Sequence, residues 1–413
     1  MEACGFNVDS AGGDPEAGAQ RKLRLLLDAR KIDDGGIGVY IRNLVSGLLA
    51  VGGVDMTLIT RGVSSALNEW RDRLEVIFDA APSYSFDELF RLARRIDTRR
   101  FDVFHAPHYM LPFGLRLPTV VTIHDLIHIQ HPERRYYPLV ARSLIRSALK
   151  RATRVLTVSR ASFQGLSHLA MHRENVARKL RVVPNAIDPY FMELASSAGH
   201  VSEYLSSRLH LKGRFFLSVF SMAKPHKGIR DLLLAFDSAC KQHAKSSLAP
   251  GDSSQGLGDL KLVMVGKGTE GMVDESGLLE AAGANKRVVL LGSVSREALG
   301  YLYAGASALV IASTAEGFCL PMLEARVFNT PVILRPIPVL LELAGAKDIV
   351  CRDMSLLALQ EGLVSFLQRR HDVVPHFMNA RARTDLSGYL VDEVARRVLE
   401  VYREAVREYR QER

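Results

Sequence analysis

Nowhere in the 413 residues do about eighteen apolar residues follow one another, so no run has the length that a helix needs to cross a bilayer. The opening MEACGFNVDSAGGDPEAG also lacks the basic region and the apolar stretch of a secretory signal. The expectation is a soluble, cytoplasmic protein. Cysteine is scarce. Cys4, Cys240, Cys319 and Cys351 show no CxxC spacing, which argues against a disulfide framework or a thiolate metal site and for reduced thiols. One tryptophan occurs, and no recognition helix, finger or RNA-reading motif accompanies the basic residues, so nucleic acid is a poor partner. The absence of a GxSxG elbow and of a GxxxxGK[ST] loop counts against acyl hydrolases and P-loop phosphotransferases.

What is present points to a large α/β protein. The length exceeds that at which one core usually keeps growing, so two domains of about 200 residues are the natural division. Hydrophobic residues, 47% of the chain, suffice for two cores. The formal charge of +9 is unevenly spread. Arg134, Arg135, Arg142, Arg146, Lys150, Arg151, Arg154, Arg160, Arg173, Arg178, Lys179 and Arg181 stand against Glu174 alone over residues 134–181. Such a stretch either is a solvated helical surface or draws anionic partners: phosphates or acidic lipid headgroups.

Short apolar runs begin at Leu23, Met56, Leu74, Phe101, Pro118, Arg154 and Arg181, and again at Phe215, Leu260, Arg287, Ser307, Pro331 and Asp348. They lack polar alternation, as expected of parallel strands buried on both faces. Helical patterns such as Tyr40 to Ala50 and Pro138 to Ala152 lie between them, giving βα units. The series is divided by a junction over residues 185–211, which favours two parallel-sheet domains over one barrel. The expected division is a flexible tail over residues 1–20, an acceptor-side Rossmann-like domain over 21–197, a second Rossmann-like domain over 198–385, and over 386–413 a terminal amphipathic helix packing back on the first domain. Residues 245–258 read as a polar surface loop.

Four segments carry candidate chemistry. In SALVIASTAEGFCLPMLEA a strand ends near Ser313, Glu316 and Gly317 occupy the turn, and Pro321 suits the first turn of the next helix, which contains Glu324. Its backbone NH groups suit an anion and its carboxylates suit sugar hydroxyls, or both acids merely favour a helix start. In FFLSVFSMAKPHKGI a strand runs into Lys224, Pro225, His226 and Lys227 before a helix near Gly228, a setting for a diphosphate. Gly35, Gly36 and Gly38 follow the first strand, where backbone can approach a ligand. VTIHDL ends an apolar strand in His124 and Asp125. His105 and His108 form another strand-end pair, able to line the acceptor side or to be satisfied loop histidines. His128 and His131 fit no HExxH pattern, so no metal is expected.

Together these residues resemble the GT-B glycosyltransferases of the retaining family 4 over about residues 23–410, and in particular bacterial mannosyltransferases of surface-polysaccharide synthesis. EGFCLPMLEA is similar to that family's signature of two glutamates separated by seven residues, with Cys319 where glycine is common. The resemblance implies two Rossmann-like parallel-sheet domains facing across a cleft. It further implies that Glu316 contacts donor-sugar hydroxyls, that Glu324 holds the ribose, and that Gly317, Phe318 and Leu320 line the donor. Gly36 and Gly38 would pack near the diphosphate, His124 beside the donor sugar, and Lys224, His226 and Lys227 on the phosphates, with His226 and Met222 standing where arginine is frequent. His124, Lys227 and Glu316 are the implied catalytic set.

The implied reaction is transfer of a hexosyl group, mannose from GDP-mannose in the favoured version, to a hydroxyl of a growing polysaccharide or lipid-linked oligosaccharide. No cofactor beyond the nucleotide-sugar donor is required. An anionic membrane surface is a further partner, which would make a cytoplasmic enzyme peripheral at the inner face of the plasma membrane. Rival readings are a GT-B enzyme using a UDP- or ADP-sugar with a small soluble acceptor, and a nonenzymatic nucleotide-sugar-binding protein.

Overall fold

The computed structural model describes residues 21–70, 72–170, 174–197, 199–246, 260–269, 287–368 and 386–412. The expected tail over residues 1–20 and nearly all of the expected loop over 245–258 lie outside them, as do Cys4 and Arg173.

Each apolar run forms a strand. The first series gives β1 (Leu23–Asp28), β2 (Val54–Thr60), β3 (Glu75–Phe78), β4 (Val103–Ala106), β5 (Thr119–Thr122), β6 (Arg154–Thr157) and β7 (Leu180–Val182). The second gives β8 (Phe215–Met222), β9 (Lys261–Lys267), β10 (Val288–Leu290), β11 (Ala308–Ile311), β12 (Val332–Leu334) and β13 (Ile349–Val350). They make two sheets, ordered β3-β2-β1-β4-β5-β6-β7 and β10-β9-β8-β11-β12-β13, with parallel pairing throughout. Every residue of β4, β5, β6 and β11 is buried, as strands covered on both faces must be.

The order of each sheet reverses once, between β1 and β4 and between β8 and β11. At such a reversal the connecting helices leave on opposite faces, which opens a crevice at the carboxyl ends of the two central strands. The glycine loop follows β1, and His105 and His108 lie in and just after the end of β4. Lys224 to Lys227 and Glu316 follow β8 and β11. The topology thus gathers the candidate segments at two crevices.

The junction and the final helix tie the two domains together. The junction is two helices, Pro189–Ser197 and Val201–Arg208, whose Phe191, Ala195 and Leu205 join the core of the second domain. A boundary at 197 therefore cuts through material that packs with the second sheet. The final helix, Val391–Gln411, lies on Gly35–Val51 of the first domain, burying Val394, Val398 and Tyr402 beside Ile41, Leu44 and Leu48. Arg154 fastens it through ion pairs with Glu404, at 3.1 Å, and Glu408. Among the described residues no helix is long and apolar enough to cross a membrane.

Candidate active site

The pairing of β8 with β11 brings together side chains that are far apart in sequence. Lys227 Nζ lies 2.8 Å from Glu316 Oε1 and 3.0 Å from Oε2, and Ser313 Oγ donates to the same Oε1 at 2.6 Å. Burial works against the ammonium, but the Glu316 carboxylate outweighs it and holds Lys227 above its ordinary pKa. The lysine therefore stays charged, as a group that neutralises phosphate must. Its backbone is fixed by the next residue: Gly228 has φ +65°, and a Cβ there would stand 2.1 Å from the Ala312 carbonyl oxygen. The turn is tied to the Glu316 loop by the Thr314 amide, which donates to the His226 carbonyl at 2.7 Å. Burial and neighbouring Lys227 push the His226 imidazole down, so His226 contributes a neutral ring. Lys224 turns outward and pairs at 2.7 Å with Glu133 of the first domain.

The helix Leu320–Val327 carries Pro321 in its first turn and starts from Cys319 at φ +72°. That left-handed backbone explains physically why glycine suits the position. Glu324 is buried and accepts a 2.7 Å hydrogen bond from Tyr303 Oη; burial raises its carboxyl to about 7. The Phe318 side chain is buried in the second core, 6.2 Å from the Tyr389 ring, and the residue lines a cavity of about 290 Å³ with Arg160, Glu342 and Arg397. Most of its apolar ring is taken up by packing. Leu320 likewise packs partly on that core.

In the first domain the helix begins at Gly35, not near Tyr40, so the glycine loop supplies the first helical turn and its free NH groups. Gly36 has open space where a side chain would be, whereas a Cβ on Gly38 would stand 2.4 Å from the Ile32 carbonyl oxygen. Gly36 therefore offers an approach to ligand, and Gly38 answers to packing. His124 Nε2 lies 3.0 Å from the Pro107 carbonyl oxygen, and its ring stands edge-on to Tyr40 at 4.9 Å. A carbonyl only accepts, so Nε2 carries the proton; with burial keeping the ring neutral, Nδ1 is left as an acceptor. Asp125 Oδ1 accepts from the Ile127 amide at 2.9 Å, and Oδ2 faces Gly317 of the other domain. Glu342 of the second domain also crosses the cleft, accepting from the amides of Arg160 and Ala161 at 2.9 and 2.7 Å.

His105 and His108 do not line the acceptor side. His105 is fully buried between Tyr402 Oη, 2.7 Å away, and Thr122 Oγ1, 2.8 Å away, and burial drops it to about 3. His108 sits 3.5 Å from both Asp28 and Glu88. Those three residues have the spacing of a metal site, yet the Arg30 guanidinium already bridges Asp28 at 2.6 Å and Glu88 at 2.7 Å and supplies the cation they need. The basic stretch is also partly spent: Arg151 and Lys179 donate to main-chain carbonyls, and Arg154 and Arg181 pair with Glu404.

Sequence reasoning missed Ser313, Tyr303, Glu133 and Tyr40. Ser313, three residues before Glu316 at the strand end, was within reach of that reasoning. The other three are brought in by tertiary packing with no local signal.

Residues 34–191 match the family Glycosyltransferase Family 4, and residues 205–383 match Glycosyl transferases group 1. The O-antigen chain mannosyltransferase RfbU of Salmonella typhimurium is 26% identical over 281 residues, 68% of this chain and 69% of that protein. O-antigen chain mannosyltransferase B of Escherichia coli is 27% identical over 279 residues, 64% of this chain and 65% of its own length. Among solved structures, Anabaena Alr3699/HepE in complex with UDP and glucose has a similar fold, with a TM-score of 0.69 at 18% identity over 92% of this chain and 98% of that one.

Proposed function

The chain belongs to the glycosyltransferases of family 4 with the GT-B fold, and on that premise we propose that it moves a mannosyl group from GDP-mannose to a hydroxyl of a growing polysaccharide or lipid-linked oligosaccharide, with retention at the anomeric carbon. The observation that carries this reading is the Lys227 and Glu316 pair at the carboxyl ends of β8 and β11, a cation for a diphosphate held against a carboxylate for sugar hydroxyls. The choice of mannose is drawn from the relatives RfbU and O-antigen chain mannosyltransferase B.

In the proposed reaction the bond from the anomeric carbon to the phosphate oxygen breaks as the bond from the acceptor oxygen forms on the same face. The acceptor proton passes to the departing phosphate oxygen. Lys227 stabilises the charge that grows on the phosphates, aided by amides at the first turn of the Gly35–Val51 helix. Glu316 and the acceptor nitrogen Nδ1 of His124 hold sugar hydroxyls, and Glu324 takes the ribose. Contacts between the domains, Lys224 with Glu133 and Glu342 with the Arg160 and Ala161 amides, favour a closed cleft that excludes water. We place the enzyme at the inner face of the plasma membrane, where a lipid-linked acceptor would be met.

The test is a thermal-stabilisation screen of intact nucleotide sugars followed by product analysis. GDP-mannose should give the largest shift in melting temperature and a mannosylated product whose anomeric configuration matches the donor's. A larger shift with a UDP- or ADP-sugar, or inversion in the product, would overturn the assignment.

A further inference from the structure

The first domain exposes a row of aromatic rings. Phe86 is 70% exposed, Phe90 38% and Phe113 37%. The Phe86 and Phe90 ring centroids are 4.3 Å apart, and Phe90 and Phe113 stack at 5.1 Å with their planes 9° from parallel. The Arg151 guanidinium lies 3.8 Å from the Phe113 ring centroid, and its Nη1 donates to the Pro112 carbonyl at 2.9 Å. The row therefore abuts the helix Tyr137–Arg151. That helix leaves Leu139 75% and Val140 50% exposed, and Val140 shares a helical face with Ser147 and Arg151.

The surroundings are cationic. Arg142, Arg146 and Lys150 are exposed along the Tyr137–Arg151 helix, and Arg94 and Arg116 are exposed on the segments that carry the rings. Asp87, the acid of the Phe86–Arg95 helix nearest the row, is already paired with Arg91 and Arg95. A contiguous apolar patch of this kind on a surface marks an interface. A second copy of the chain packed about a twofold axis would set these cations against their own equivalents. A bilayer with acidic headgroups neutralises them and accepts aromatic rings at the headgroup boundary.

We propose that this face docks on an anionic bilayer, with Phe86, Phe90 and Phe113 entering the headgroup boundary and Arg94, four residues after Phe90 on the same helical stripe, and Arg116 meeting the lipid phosphates. The inference deepens the reading of a lipid-linked acceptor and rests on it for its purpose. The row adjoins the carboxyl end of β4, because Tyr84, two residues before Phe86, packs on His108 and Tyr109 at 5.8 and 5.3 Å. Docking would bring that end of the first sheet toward the lipid surface.

The test is flotation of the full chain with vesicles of phosphatidylcholine alone and of phosphatidylcholine with an equal part of phosphatidylglycerol. Wild type should float with the anionic vesicles and release partly as salt rises. The F86S/F90S variant should partition about tenfold or more weakly at unchanged charge, and R94Q/R116Q should lose most of the binding to anionic vesicles together with its salt dependence. Melting temperatures close to wild type would show that both variants fold. Wild-type-like flotation of F86S/F90S would overturn the proposal, as would a wild-type dimer that ignores vesicles and that F86S/F90S splits. Transfer from GDP-mannose is read in a separate assay. Vesicle binding without transfer would support the docking face and defeat the functional reading, whereas transfer without binding would do the reverse.

Discussion

Lys227 and Glu316, 89 residues apart in sequence, form a bidentate ion pair at 2.8 and 3.0 Å in which each partner is mostly buried. The residues proposed for opposite ends of the donor's scissile bond are thus each other's counter-ions. The pair holds the Lys227 ammonium charged despite its burial, and donor phosphates and sugar hydroxyls can share the pair without either side chain moving far.

The coupling gives the first prediction. Glu316→Ala and Lys227→Ala should each lower transfer about a hundredfold or more while the fold survives, as judged by circular dichroism. Removing one partner leaves the other charge unpaired, so the double variant should fall well short of the product of the two single losses. Initial rates with GDP-mannose measure both points. Near-normal transfer in either single variant would remove its assigned role.

Glu324 predicts a pH dependence. Its carboxyl is raised by burial from 4.5 to about 7, so between those values the folded protein holds a proton that the unfolded chain has released. Stability therefore falls as pH rises through that window, by up to about 3 kcal/mol for this group. Glu324→Gln should melt like wild type near pH 4 and above it at pH 8. On the role proposed for Glu324, the ionised carboxylate accepts from ribose hydroxyls at both oxygens and the protonated acid does so less well, so nucleoside diphosphate should bind wild type about tenfold more tightly at pH 8 than at pH 6. Titration calorimetry on the Gln variant should show that dependence abolished.

Parallel strands and the family signature were legible because both are local. Buried runs such as FFLSVF and SALVIAS have one stable use, and the spacing from Glu316 to Glu324 survives any packing. Tertiary relations were not legible. Nothing near Glu324 announces Tyr303, and nothing in FDVFHAPH says that His105 serves Tyr402 of the last helix while His108 serves a cluster organised by Arg30. The basic stretch misled in part for the same reason: Arg154 and Arg181 look free in sequence and are bound to the C-terminal helix. Phe318 is the inverse case, a residue inside the signature whose side chain the core has claimed.

Cys319 yields a third prediction. A residue with a Cβ in the left-handed region is strained by about 1–2 kcal/mol, a cost that glycine avoids, while the buried thiol returns part of it through packing. Cys319→Gly should keep transfer near the wild-type level and shift stability by no more than about 1 kcal/mol. Cys319→Val adds a branched Cβ to the same backbone and should destabilise by about 2 kcal/mol or more. Chemical denaturation of the pair decides it. A Cys319→Gly variant that folds but loses transfer would mean that the thiol itself takes part in the site.

Gly317 carries the last prediction. A Cβ there would stand 2.9 Å from Asp125 Cβ and 3.0 Å from both Asp125 Oδ2 and the His124 carbonyl oxygen, all in the opposite domain. The obstruction is one of closure, because each of these atoms belongs to the first domain and the second can fold without meeting them. Gly317→Ala should therefore leave the melting temperature almost unchanged and bind nucleoside diphosphate close to normally, yet lower transfer about tenfold or more by holding the cleft ajar. Asp125→Ala in the same chain shortens the opposing side chain at Oδ2 but leaves Asp125 Cβ and the His124 carbonyl in place, so it should restore little. Full activity in Gly317→Ala would mean that the two domains need not approach this closely for transfer.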